Sequence, residues 1–317
     1  MQTEIPVFFT IDNSYVPYLS VALASAIDHA DPARRFRAII LHEDVSAENQ
    51  DLIRALATEH FAVEFLPMQK GLESITDCMS NRLRCDYFTL TIYFRLFIPE
   101  MFPQYDKGIY IDSDVVIPGD LAELFDTNIG DNYIGACADL SVADVPPLVQ
   151  YMEQAVGVPG NTYINSGVLL MNMEKLRQAH LDTHFLTLLN TYHFDCIAPD
   201  QDYLNAMCHT KIHYLPPEWD TMPNDNHPAA AHPKLIHYNL FAKPWCYDNI
   251  QYEEYFWEYA KKSAFYRQIA DGKNNYSDEQ KASDAKCLEL LCERGAQIAQ
   301  SEGTFRKIFE KGEKIRL

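Results

Sequence analysis

Residues Tyr110 to Val116 read "YIDSDVV", inside the longer run "DKGIYIDSDVVIPGDLAELF" from Asp106 to Phe125. Apolar residues crowd both sides of two aspartates spaced one apart. The pattern predicts a strand over Gly108–Ile117 that carries two acids at its end. A carboxylate buried without a partner costs several kcal/mol, so something must compensate, and the first candidate is a metal ion. In a strand, residues i and i+2 point to one face, which would aim Asp112 and Asp114 together. Open α/β sheets bind their ligands at the carboxyl ends of strands. Two carboxylates there suit Mg²⁺ or Mn²⁺, whose usual work is to neutralise phosphate charge on a substrate or leaving group. Taken alone, an Asp-x-Asp is common in solvated turns and helix caps. The flanking "GIYI" and "VVI" shift the balance towards function.

Outward from this stretch, the first part of the chain alternates strand and helix signals. Strands are expected at "IPVFFTI", "RFRAIILHED" and "FAVEFLPM". Helices are expected at "YVPYLSVALASAIDHA" and at "SAENQDLIRALATEH", the latter opened by Ser46. Short apolar runs between amphipathic helices imply a mostly parallel sheet covered on both faces. A helical segment "CDYFTLTIYFRLFIPEMF" precedes the acidic strand, and "NYIGACADL" and "TYINSGVLLMN" read as β. Further helices are predicted over Glu174–Leu189 and Gln201–Cys208. "PPEWDTMPNDNHPAAAHP" reads as a loop of functional length and "KLIHYNL" as a last strand. Beyond about Asp271 the composition changes to an exposed helix over 274–300 and a locally basic end. The expected division is an α/β domain over residues 1–255 and a helical extension over 256–317.

The bulk numbers bound the function. The chain has 317 residues, is 47% hydrophobic and carries a formal net charge of -19. It can bury a sizeable core, and its acidity argues against nucleic acid as a partner. Nothing approaches the run of roughly 18 to 20 apolar residues that a transmembrane helix needs. The start lacks a basic region ahead of its short apolar run, so the expectation is a first strand in a cytoplasmic protein rather than a signal peptide. Eight scattered cysteines form no C-x-x-C pair and read as reduced thiols.

Other segments carry candidate chemistry, each with a plainer structural reading. "KLIHYNLFAKPW" sets His237 six residues before Lys243. An imidazole can be a third metal ligand and a lysine a point charge for phosphate, or they are a core histidine and a surface lysine. "APDQDYLN" offers Asp200, Gln201 and Asp202 to sugar hydroxyls, or simply caps a helix. Asn165 in "TYINSGVLLMN" sits at a small-residue turn. Arg95 lies among apolar residues and needs an anion, either a structural partner or a phosphate. Asp12 and Asn13 end the first strand, where they can meet a base or ribose or cap the next helix. Trp219 is either a stacking surface for an acceptor sugar, in a pocket formed by the 216–232 loop, or a packing residue. The end, Phe305–Leu317, has five basic and two acidic residues with apolar residues between. It suits an anionic membrane, as a lipid-linked acceptor would require, or a solvated terminal helix.

Taken in order over about Ile5–Trp245, these segments resemble glycosyltransferase family 8, which includes bacterial lipopolysaccharide glucosyl- and galactosyltransferases and the glycogenins. The resemblance rests on the Asp-containing turn after the first strand, the Arg-bearing helix, "YIDSDVV", "GACAD", "YINSGVLLMN", "DQDYLN" and "HYNLFAKPW". It implies the GT-A fold, a Rossmann-like mostly parallel sheet flanked by helices. It implies a UDP-hexose donor, Mn²⁺ in preference to Mg²⁺, and retention of anomeric configuration. By the resemblance, Asp112, Asp114 and His237 match metal-binding positions, with Asp112 also near the ribose. Ser113 falls between the two acids. Lys243 matches the diphosphate lysine. Arg95, Asp139, Asn165, Asp200 and Gln201 match residues around the donor sugar. Asp12, with Thr10 beside it, matches a residue near uracil. The acceptor would be a glycan, lipid-linked or protein-linked saccharide.

The chain departs from the family in two places. The last motif often reads H-x-x-G-x-x-K-P-W, where this chain has Leu240 for the glycine, and Ile92 replaces a polar residue before the helix arginine. The residue nearest the anomeric carbon would be Gln201, a poor nucleophile. Retention then needs either a covalent intermediate on Asp202, Asp200 or Asp139, or front-face attack with a UDP oxygen taking the acceptor's proton; the latter is preferred. Two alternatives stand beside the transferase. "IYIDSDVV" also matches the strand and D-x-D-x-(T/V) of haloacid-dehalogenase-like phosphatases, although that motif normally opens its domain and more than a hundred residues precede it here. The other is a non-catalytic nucleotide-sugar binder, against which the intact set of acids, His237 and Lys243 argues.

Overall fold

The computed structural model of the chain describes residues 4–67, 90–224, 226 and 228–317. Nine strands occur among these residues. They are β1 (Ile5–Ile11), β2 (Phe36–His42), β3 (Phe61–Pro67), β4 (Lys107–Ile111), β5 (Val115–Val116), β6 (Ile134–Ala136), β7 (Val168–Asn172), β8 (Ile212–Tyr214) and β9 (Ile236–His237). Seven make one sheet in the order β3-β2-β1-β4-β7-β6-β8. β1, β2, β3 and β4 run parallel, β7 is antiparallel to both its neighbours, and β6 and β8 are parallel. The chain winds outward from β1 to β3, then crosses back to place β4 on the other side of β1. That reversal is a topological switch point, where carboxyl ends of strands leave a crevice.

The sheet separates two cores because alternate strand residues face opposite ways. Phe8, Tyr110 and Leu169 enter one cluster; Val7, Phe9, Ile109, Ile111 and Val168 enter the other. Both faces are covered, which is why these strands read as near-continuous apolar runs. The Val16–His29 helix lies on the second face, with Ala22, Ser25 and Ala26 buried. Its small side chains allow close approach, and the Ser25 hydroxyl accepts the Ile117 N–H at 2.9 Å.

Several expected elements differ. The strand expected over Gly108–Ile117 is two strands, β4 and β5, in different sheets. The helix expected over Cys85–Phe102 lies partly outside the described residues. Its described part is a 3₁₀ helix, Leu90–Leu96, and a short α-helix, Ile98–Met101. The Glu174–Leu189 helix is interrupted at His180, whose φ of 54° is left-handed and cannot continue a right-handed helix. β8 and the helix Leu121–Asp126 are additional to the sequence reading, and the helical stretch expected from residue 256 includes helices over Glu253–Ala260 and Tyr266–Asn274. Cys78 and Cys85 lie outside the described residues; the six other cysteines form no disulfide with one another. Among the described residues no helix is long and apolar enough to cross a membrane.

The segment expected as an appended extension shares both cores. Phe256, Tyr259, Phe265 and Ile269 join one cluster, and Leu291, Ile298, Phe305 and Ile315 the other. Ser277 opens the Asp278–Ala299 helix with a capping box to Gln280. That helix is exposed at first and buried at Leu291, Gly295, Ile298 and Ala299, not exposed throughout as expected. In the basic tail, Phe305 stacks on Phe194 at 3.9 Å and meets Tyr203 edge-on, and the Leu317 N–H reaches the Met207 carbonyl. Of the tail's apolar side chains only Phe309 is largely exposed. The tail's hydrophobic surface is therefore committed to this chain's own core.

Phe305→Ala should accordingly lower stability by about 3–5 kcal/mol, the usual cost of emptying a buried aromatic site. Denaturant unfolding of the full chain checks this; an unchanged midpoint would mean that the tail is not part of the core.

Candidate active site

The site forms where β4 ends. The Asp112 N–H bonds the Gly167 carbonyl at 2.8 Å, the last rung between β4 and the antiparallel β7. The backbone then bends through Asp112–Asp114 and leaves the main sheet. β5 pairs with β9 instead, setting Val115 opposite His237. The Tyr238 N–H bonds the Asp114 carbonyl at 2.9 Å. The two acids therefore converge through a bend and not through strand alternation as the spacing implied. The same departure delivers His237 from a segment over a hundred residues away in sequence.

Carboxylate oxygens of Asp112 and Asp114 and an imidazole nitrogen of His237 lie within 4.8 Å of one another. His237 Nε2 is 3.3 Å from Asp114 Oδ1 and 4.0 Å from Asp112 Oδ2. On the far side of the ring, Nδ1 bonds Asp220 Oδ1 at 3.0 Å. Lys243 pairs with the other oxygen of Asp114. Burial of His237 disfavours its charged form, but Asp114 and Asp220 outweigh burial and raise the imidazole to about 10. Burial would raise Asp114, yet Lys243 and His237 hold it below the usual carboxylate range. Two carboxylates and one imidazole are a hard oxygen and nitrogen donor set that fits Mg²⁺ or Mn²⁺.

Arg95 organises the opposite side and is 4% exposed. It donates to Asp112 Oδ1 at 2.9 Å and to the Ser166 carbonyl at 2.6 Å, and pairs with Asp200 at 3.1 Å. The Tyr110 hydroxyl donates to Asp112 Oδ1 at 2.7 Å, and its ring lies under the guanidinium at 4.3 Å. Burial, with Asp112 adding to it, pushes the Tyr110 phenol well up, so it stays a neutral donor. Gln201 accepts the Ser166 N–H at 3.0 Å and donates to Asp139 at 2.9 Å. Asn165 donates to Asp139 at 3.1 Å and accepts the Gly167 N–H at 2.7 Å. Asn205 clamps the Ile164 N–H and carbonyl at 2.8 and 2.9 Å. The turn before β7 is therefore fixed by side chains from the Pro199–Cys208 helix.

These groups line one open cleft of about 410 Å³, within the usual range for small-molecule sites. Its walls include Arg95, Asp112, Asp114, Asn165, Asp200, Gln201, His237 and Lys243, together with Ser14, Tyr15 and Tyr18. Thr10, Asp12, Ser113, Asp139 and Asp202 do not line it. Thr10 bonds the Tyr110 hydroxyl at 2.7 Å, and Asp12 caps the turn at Ser14 and Tyr15. Asp202 is held by the hydroxyls of Tyr151 and Tyr163 and by the Ala198 N–H. Trp219 is buried with Lys234 over its ring, and no described residue of 216–232 lines the cleft. Of the two readings open for Trp219, its burial favours packing over sugar stacking. Tyr110, Gly167 and Asp220 were not foreseen as site residues. Tyr110 reads as one more apolar strand position, and Asp220 as part of a polar loop.

The profile of Glycosyl transferase family 8 matches residues 6–249, so the chain belongs to that family. It is 26% identical over 283 residues to glycosyltransferase GlyB of Streptococcus pneumoniae, covering 80% of this chain and 61% of that one. It is 29% identical over 189 residues to the lipopolysaccharide 1,2-glucosyltransferase of Escherichia coli, covering 52% of this chain and 53% of that one. The chain thus spans little more than half the length of these relatives. Among solved structures, galactosyltransferase LgtC in complex with donor and acceptor sugar analogs superposes with a TM-score of 0.69. That match has 24% identity and covers 88% of this chain and all of that one, which establishes the GT-A fold. Family membership removes the phosphatase reading of the Asp-x-Asp.

Gly167 is sterically obligatory. A Cβ there would lie 2.3 Å from His237 Cε1 and 2.8 Å from Asp112 Oδ2. Gly167→Ala should destabilise the fold by about 1–3 kcal/mol, the cost of overpacking, through displacement of the buried imidazole. Thermal unfolding checks the stability, and histidine NMR should show a shifted His237 resonance. Unchanged values in both would refute this geometry.

Proposed function

We propose that this member of glycosyltransferase family 8 transfers a hexose, glucose or galactose, from a UDP-sugar to a saccharide acceptor with retention of configuration. The observation that carries the reading is the convergence of Asp112, Asp114, His237 and Lys243 at the switch-point crevice, with Asn165, Asp200 and Gln201 on the wall opposite. Asp112, Asp114 and His237 would hold Mn²⁺ or Mg²⁺, which supplies charge neutralisation for the departing diphosphate. Lys243 would exchange its contact with Asp114 for a diphosphate oxygen, as a mobile point charge can. Arg95 fixes Asp112 and Asp200 in place. Fixed charges aimed at developing charge are the main means by which such sites lower a barrier. Tyr15 and Tyr18, beside the turn that Asp12 caps, line the nucleotide end. Thr10 acts from behind by bonding the Tyr110 hydroxyl, and Ser113 is buried within the bend.

Three carboxylates could have served a covalent route. Asp139 is locked by Gln201 and Asn165, Asp200 by Arg95, and Asp202 by two tyrosines. Their engagement supports attack on the same face as departure, with a UDP oxygen taking the acceptor's proton. The acceptor we infer is a glycan, lipid-linked or protein-linked saccharide. Membrane contact by the tail would rest on exposed Lys311, Lys314 and Phe309, since its other apolar residues are packed inward.

Calorimetric titration of UDP should show binding with Mn²⁺ that EDTA abolishes. Asp114→Asn should weaken the metal-dependent part at least about 100-fold, since losing a ligand exceeds the 10–100-fold typical of outer-shell changes. Lys243→Ala should weaken UDP about tenfold to a hundredfold, the worth of one charge-assisted hydrogen bond. Metal-independent UDP binding, or none, would overturn the reading. Given a UDP-hexose and an accepted saccharide, NMR of the product should show the α-configured linkage of an α-configured donor; inversion would overturn the front-face step.

A further inference from the structure

Asp220 is 1% exposed and faces the metal-binding cluster from behind His237. Its Oδ1 bonds His237 Nδ1 at 3.0 Å, while its Oδ2 is buried with no hydrogen-bond partner among the described residues. A buried carboxylate with an idle oxygen is a poor stabilising element, because an apolar residue of similar volume is often neutral or better. Its position is nevertheless tightly fixed. It ends the 3₁₀ turn Pro217–Asp220, whose Glu218 carbonyl accepts the Lys234 and Leu235 N–H groups at 2.8 and 2.9 Å. The next residue, Thr221, bonds across to Leu235 and accepts the His237 N–H at 2.8 Å. The backbone thus carries Asp220 and His237 as one unit.

We propose that Asp220 is a positioning residue for a divalent cation at this site, holding the His237 imidazole so that Nε2 faces Asp112 and Asp114. This rests on the metal reading above. A metal ligand must be the neutral imidazole, and with Nδ1 bonded to Asp220 Oδ1 the nitrogen left to ligate is Nε2. Nε2 is the nitrogen that lies 3.3 Å from Asp114 and 4.0 Å from Asp112. The negative charge behind the ring raises its basicity as a ligand, and outer partners of this kind typically contribute 10–100-fold in metal affinity.

The test uses the full chain with Mn²⁺ alone, its binding followed by loss of the free-ion EPR signal. Asp220→Ala should bind Mn²⁺ about 10–100-fold more weakly and lose the histidine nitrogen coupling in pulsed EPR. Asp220→Asn, whose amide oxygen can still accept from Nδ1, should recover the coupling while regaining only part of the affinity. Affinity and coupling unchanged in both variants, with the wild type binding normally, would overturn this inference alone. No Mn²⁺ uptake by the wild type would overturn the metal reading and this inference with it. If the alanine variant does not fold, the asparagine variant decides: wild-type affinity overturns the inference, and weaker binding by the folded asparagine variant supports it.

Discussion

The buried guanidinium of Arg95 is the constraint on which the rest of the site depends. An unpaired charge at that depth would cost several kcal/mol, so the chain must bring anions to it. It does so from three separate segments: Asp112 at the end of β4, Asp200 at the start of a helix, and the Ser166 carbonyl in the turn before β7. Satisfying one cation therefore fixes the relative positions of three walls of the cleft. The antiparallel insertion of β7 serves the same end. Running against β4, it places the turn at residues 165–167 beside the carboxyl end of β4 instead of at the opposite edge of the sheet.

Charge accounting around that constraint points the same way as geometry. Asp112, Asp114, Asp200 and Asp220 contact Arg95, Lys243 and His237 directly. With His237 protonated, as its raised imidazole implies, four carboxylates face three cations; were a metal to displace that proton, the deficit it met would equal the charge of one divalent ion. The field that raises His237 to about 10 is the field such an ion would neutralise. Low-dielectric surroundings strengthen both effects, because charges buried here are screened far less than at a surface.

Much of this was legible in the sequence because it rests on local pattern. The strand and helix alternation, the small-residue helix after β1, the Ser46 cap and the ordered motifs from "YIDSDVV" to "HYNLFAKPW" are read from neighbours within a few residues. What escaped depends on pairing at long range. The apolar run from Gly108 to Ile117 carries no mark of where one sheet is exchanged for another; only the competition of β7 and β9 for its edges decides that. Asp220 looks like loop polarity until Thr221 is seen bonded to Leu235. The tail's apolar residues read as membrane-facing or as part of a solvated helix, and the packing of Phe305 on Phe194 and Tyr203, far away in sequence, has no local mark.

The departures from the family pattern show which parts of the site are rigidly required. Leu240 stands where the family often has glycine, yet its φ of 51° keeps the left-handed backbone that glycine would adopt freely. A side chain there costs roughly 1–2 kcal/mol. Leu240 packs partly against the core and lines the cleft, so its contacts offset some of that cost. The glycine at 167 has no such latitude, since any Cβ would enter the imidazole ring. A conformational preference can be overcome by packing, whereas an occupied volume cannot. The site therefore tolerates change on the turn at Leu240 and none where β7 meets Asp112 and His237.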